Sequence, residues 1–170
     1  MECPQLDLEM LWEPVRDVSG VSFIFPPARG TKISQETYGR PAVYRWKVRR
    51  QTEAEPFLVY IGEADSLFRR IGNYRNAHPS QKQTYRVTCR LREEAARGAV
   101  VELEVLSFPI FFINGVMIEP SALSDPDKRK LMENFALLAQ DRINCEALNL
   151  SLKRFERRIR KVETRRIELA

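Results

Sequence analysis

Histidine is nearly absent from this chain, and its three cysteines stand far apart. His78 alone excludes a multi-histidine metal site. In "NAHPSQ" it precedes a proline, which favours extended or turn backbone, so it reads as an exposed loop residue. Disulfide frameworks and zinc sites use paired, closely spaced ligands, and Cys3, Cys89 and Cys145 offer neither an even count nor a short spacing. They are expected to be free thiols. No apolar run approaches the roughly 20 residues that span a bilayer, so no membrane segment is expected. The start, "MECPQLDLEM", has neither a basic leader nor an apolar core, and a cytoplasmic location is the expectation. Acidic residues are missing altogether from 66–92.

That last absence has a consequence for charge. The same stretch holds Arg69, Arg70, Arg75, Lys82, Arg86, Arg90 and Arg92, which makes it a basic zone inside a part of the chain that is otherwise balanced. Residues 151–170 carry eight Lys or Arg against three Glu and account for the whole net charge of +5. Basic zones attract phosphate backbones by Coulomb attraction and counterion release, so nucleic acid is the leading partner. A solvated charged face is the rival reading, and for 151–170 taken alone it is the favoured one. With 170 residues, 44% of them hydrophobic and 30% charged, the chain suits a single globular, soluble domain that buries about 70% of its unfolded surface.

Residues 1–40 read as irregular, with turn signals in "FIFPPARG" and "TYGRP" around at most one short strand near 21–25. "AVYRWKV" (42–48) and "FLVYI" (57–61) are rich in strand formers, and the polar "RRQTEAEP" between them reads as a hairpin connection. Leu67, Ile71 and Tyr74 recur at helical spacing over about 64–75. A second helix is expected over about 84–97, ending before Gly98, and a third strand, "AVVELEVL", over 99–106. In 107–125 an apolar run reaches Asn114-Gly115, a tight-turn dipeptide, so a short hairpin fits there. Asp125-Pro126 offers a cap and first-turn proline for a helix near 126–141, and Leu152, Phe155, Ile159 and Val162 space a last one near 151–166. The order β-β-α-α-β-α-α is that of a small α/β (α+β) layer protein.

The two tyrosine strands, the second running into "ADSLFRRIGNYR", resemble the GIY-YIG nuclease family. Tyr44 takes the tyrosine place of the first motif, Tyr60 that of the second, and Arg70 the place of the family's helix arginine. Glu133 in "KLMENFALLAQ" and Asn149 in "EALNLS" match its late glutamate and asparagine. The resemblance covers roughly 42–150 and implies a three-stranded antiparallel sheet flanked by helices. Residues 1–41 would be an extension packing on that core, and 151–170 a basic C-terminal helix of the same domain.

What the resemblance implies chemically is hydrolysis of a DNA phosphodiester with one metal ion, Mg²⁺ or Mn²⁺. Arg70 would bind the scissile phosphate through its fork of donors. Tyr44 would be the general base, or part of the water network that deprotonates the nucleophile. Tyr60 would orient the phosphate or water, and Tyr74, one helical turn after Arg70, would join the cleft or simply pack with Ile71. Glu133 would hold the metal, since Mg²⁺ keeps much of its hydration and accepts few protein ligands. Glu119 and Glu146 are rival carboxylates. Asn149 would brace the site or cap the following helix. Arg69, Arg75, Lys82, Arg86 and Arg90, with Lys153, Arg154 and Arg157, are the candidate contacts to duplex DNA, and a homodimer would be compatible with such a domain. Two other readings stay open: a nucleic-acid-binding or protein-interaction module on the same scaffold with weak or no cutting, and a structural partner protein docking through its last helix.

Overall fold

A computed structural model describes residues 6–113, 116–118, 123–141 and 146–147. In chain order they form β1 (Leu6–Pro14), α1 (Gln35–Tyr38), β2 (Ala42–Arg49), β3 (Leu58–Ala64), α2 (Leu67–Arg75), α3 (Lys82–Ala96), β4 (Val100–Ile113), β5 (Val116–Ile118), α4 (Pro126–Asp141) and β6 (Glu146–Ala147). The fold is α+β. Its sheet sets β1, β4, β2 and β3 side by side, antiparallel throughout. β5 pairs with the far end of β4, and β6 runs parallel to β3 at Leu58 and Val59.

The expected three-stranded sheet is therefore corrected to four main antiparallel strands. Residues 6–14, read from the sequence as irregular, form β1 and pair with β4 from Leu6↔Ile113 to Pro14↔Glu104. The physical reason is alternation of period two: Leu6, Leu8, Met10 and Trp12 are interleaved with Asp7, Glu9, Leu11 and Glu13. β4 also runs past the expected end at 106, and it needs a neighbour for the backbone groups on that side. β4 and β5 flank Asn114-Gly115, which lie outside the described residues. The short strand expected near 21–25 is reduced to isolated bridges at Ser22 and Ile24, between and beyond which Phe23 and Phe25 turn inward onto Trp46.

Local signals account for the helix ends. Ser66 caps α2, its hydroxyl accepting from the Arg69 amide at 3.3 Å. Asp125 caps α4 through Oδ1, which accepts from the amides of Asp127 at 2.9 Å and Lys128 at 3.4 Å. Gly98, at φ +86°, takes the left-handed turn that stops α3. No helix among the described residues is long and apolar enough to cross a membrane.

The sheet has two unlike faces. On one, Tyr44, Trp46, Val48, Leu58, Tyr60, Val101 and Leu103 pack beneath α2, α3 and the turn bearing Phe23 and Phe25. On the other, Val43, Val59, Ile61 and Leu106 meet Met132, Ala136 and Leu137 of α4. Beyond α4 that second face carries a charged ladder. Arg45 and Lys47 bond Glu104 at 2.5 and 2.7 Å, and Arg49 bonds Glu102 at 3.1 Å. Cross-strand pairs of opposite charge contribute about 0.2–1 kcal/mol each, whereas one buried aromatic of about 150–250 Å² contributes about 4–6 kcal/mol. The aromatic face therefore decides the fold, and the ladder favours the observed register.

Candidate active site

β2 places Tyr44 on the aromatic face, opposite Gly62 of β3. Both partners are buried, and the tyrosine ring uses the room that the glycine leaves. A Cβ on Gly62 would lie 2.6 Å from the Tyr44 hydroxyl and 2.8 Å from Cζ. Tyr60 and Tyr74 complete a cluster in which ring centroids lie 6.2 to 6.5 Å apart. The hydroxyls of Tyr44 and Tyr74 share a hydrogen bond of 2.9 Å.

Arg70 closes this cluster. Ser66 starts α2 at the phase that buries Leu67, Ile71 and Tyr74, and Arg70 consequently reaches over the tyrosines from beside that stripe. Its Nε donates to the Tyr44 hydroxyl at 2.9 Å, Nη1 to Thr84 Oγ1 at 3.1 Å and Nη2 to the Tyr74 hydroxyl at 3.5 Å. The guanidinium also lies 5.0 Å from the centroid of the Tyr74 ring. A guanidinium has five N–H donors, so one remains on each terminal nitrogen beyond these bonds to described residues.

Tyr44 and Tyr74 are held in their neutral form. Burial, then the neighbouring Tyr60, pushes Tyr44 well above the ordinary phenol value, against the pull of Arg70 and the bond to Tyr74. Tyr74 is raised for the same first reason. For Arg70, burial opposes the charge, but the oxygens of Tyr44 and Tyr74 outweigh it and hold the pKa above the ordinary arginine value. Of the two roles expected for Tyr44, the geometry favours membership of the hydrogen-bond network. A fully buried phenol with a raised pKa is poorly placed to take a proton from water.

Glu133 lies in α4, on the helix that covers the other sheet face, and is 6% exposed. Lys130 pairs with its Oε2 one turn earlier. Burial raises the Glu133 pKa above its ordinary value, Lys130 opposes that, Glu63 adds to it, and Arg70 opposes it. Glu63, directly after Gly62, is itself held by Arg129 Nε at 2.5 Å.

The basic residues divide by environment. Arg69, Lys82 and Arg86 are exposed, with Arg69 paired to Asp65. Arg75 turns back into the body, donating to the Thr31 carbonyl at 3.0 Å and lying 5.3 Å from the Phe23 ring. Arg90 contacts Glu94 at 3.1 Å. His78 is exposed, with Nδ1 2.9 Å from Ser80 Oγ. Asn149, Lys153, Arg154, Arg157 and the helix expected near 151–166 lie outside the described residues, as does Glu119.

Four participants escaped the sequence reading. Lys130 was legible from its i,i+3 spacing to Glu133, and Glu63 from its place after the glycine. Thr84 and Arg129 carry no local signal, because their partners come from other elements.

Among the described residues no group of three or more His, Cys, Asp or Glu is arranged to hold a metal ion alone. Mg²⁺ asks for less, since one or two carboxylates plus substrate phosphate and water suffice. The carboxylates at this place are Glu133 and Glu63, each paired with a cation, Lys130 and Arg129. No family model, curated protein or solved structure matches the chain.

Proposed function

We propose that the chain is a metal-dependent endonuclease of GIY-YIG type that hydrolyses phosphodiester bonds in duplex DNA. The observation that carries this reading is Arg70: three bonds to Tyr44, Thr84 and Tyr74 fix its plane, and two donors remain beyond these bonds to described residues. Two donors on a rigid fork suit two non-bridging phosphate oxygens. Fixing them in advance stabilises charge that grows on those oxygens in the transition state.

In this mechanism Arg70 binds and orients the phosphate. Tyr44 and Tyr74 are positioning residues that hold the guanidinium, and Tyr60 fills the third corner of the ring cluster. Glu133, with Glu63 nearby, would hold Mg²⁺ or Mn²⁺. When bound, the ion would polarise the phosphate and provide an acidified water near the leaving oxygen. Asn149 keeps the bracing role that the resemblance implies. Exposed Arg69, Lys82 and Arg86 supply backbone attraction along α2 and α3.

One observation favours the second reading, a nucleic-acid-binding or protein-interaction module that does not cut. Lys130 already neutralises the carboxylate that a metal would use. Nicking of supercoiled plasmid by wild type, and its loss in Arg70→Ala with DNA affinity measured alongside, tests the nuclease reading. Binding without any cutting by wild type would favour the module.

A further inference from the structure

α2 contains a glycine with no structural explanation inside the protein. Gly72 lies in the second turn of the helix, where glycine weakens the helix relative to alanine. Its φ is not in the left-handed region, and a Cβ built there meets nothing within 4 Å. Neither backbone geometry nor close packing requires a glycine at this place. What the missing side chain leaves open is a cavity of about 340 Å³ between α2 and the segment before α1, with Phe68, Arg69, Gly72, Asn73, Arg75 and Asn76 among its lining residues.

The lining selects a ligand class. Phe68 is 36% exposed, large for an aromatic ring flanking a cavity. Asn73 and Asn76 each bring an amide with a donor and an acceptor, the pairing that a nucleobase edge presents and a phosphate does not. The two cations at this place are already engaged, Arg69 with Asp65 and Arg75 with the Thr31 carbonyl and the Phe23 ring. An aromatic face and two amides, beside an Arg75 whose buried Nε has no hydrogen-bond partner among the described residues, suit a flat group with donors and acceptors on its edge. The volume falls within the range of small-ligand sites.

We infer that this cavity receives an unpaired nucleobase of the DNA bound at Arg70, stacked on Phe68 and read by Asn73 and Asn76 over the open floor at Gly72. The inference rests on the nucleic-acid reading above and names the feature in the substrate that this site would prefer. Arg70 and Gly72 lie on nearly opposite sides of α2, a helix about 10–12 Å across, so a strand that engages both passes over the helix.

The test uses the full chain in metal-free buffer and compares its affinity for a labelled duplex with one bulged base and for the same duplex fully paired. Wild type should bind the bulged duplex about tenfold more tightly, since stacking on an aromatic side chain contributes about 1–3 kcal/mol per base. Gly72→Leu puts a side chain into the cavity, its Cβ meets nothing within 4 Å and leucine should strengthen the helix, so its fold should survive. It and Phe68→Ala should each abolish the preference while binding the paired duplex as wild type does. Equal wild-type affinities, or a preference that survives Gly72→Leu, overturns the inference. Plasmid cutting by wild type, scored in parallel, would then show that the nuclease reading stands without it. Absence of any DNA binding would overturn both.

Discussion

The Tyr44 ring lies across the backbone of Gly62, its register partner, so closely that a single added carbon would fall 2.6 Å from the phenol oxygen. This pair joins the two tyrosine strands at the point where Arg70 donates its hydrogen bond to Tyr44 from above. Gly62→Ala should force the ring aside. Overpacking of this kind costs about 1–3 kcal/mol, or about 2–4 °C of Tm for each kcal/mol in a chain of this size. Thermal unfolding checks the loss. Activity of Gly62→Ala should fall further than stability, because the displaced ring no longer holds Arg70.

Tyr44 as a positioning residue and Tyr44 as a general base give different results for Tyr44→Phe. The variant keeps the ring and loses one bond to a cation, worth about 1.5–3 kcal/mol, so cutting should drop by about 10- to 100-fold and not vanish. Its pH profile should keep the wild-type shape, because burial holds the phenol neutral. Complete loss, or disappearance of a basic limb from the profile, would restore the base role.

Glu102 gives the charged ladder a pH signature. The hydrogen bond from Arg49 lowers its pKa below the ordinary 4.5, with Lys47 adding to the effect and burial opposing it. A carboxyl that is lowered on folding adds stability above its unfolded pKa and loses it as pH falls through the folded value. Glu102→Gln should therefore melt below wild type at neutral pH. The two curves should converge once pH drops well under 4.5.

Lys130 competes with any metal for Glu133. Its side chain is 54% exposed, so the pair is screened and contributes at most about 1 kcal/mol. Lys130→Met should tighten Mn²⁺ binding by up to about fivefold in a calorimetric titration. Unchanged affinity would place the ion elsewhere.

Elements with strong local punctuation were legible in the sequence. Asp125-Pro126 marks the start of α4, and α2 and α3 lie close to the spans expected from Leu67, Ile71, Tyr74 and Gly98. The pairing of β2 with β3 followed from their composition. β1 was hidden because Pro14 and the turns after it weakened the region, although alternation from Leu6 to Glu13 was present. Site candidates were nameable from motif order, but their environments were not. Whether a strand tyrosine is a cleft residue or a buried one depends on what covers it, and for Tyr44 the cover comes from α2 and Gly62. Thr84 became visible only when α3 packed beside α2.

The most direct measurement incubates purified wild type, Arg70→Ala and Glu133→Ala with supercoiled plasmid, with Mg²⁺ or Mn²⁺ and with chelator. Metal-dependent nicking by wild type, abolished by chelator and by either substitution in proteins that remain folded, is the expected result. No nicking by wild type under any metal, or equal nicking by Glu133→Ala, would contradict a single-metal nuclease built on Arg70 and Glu133.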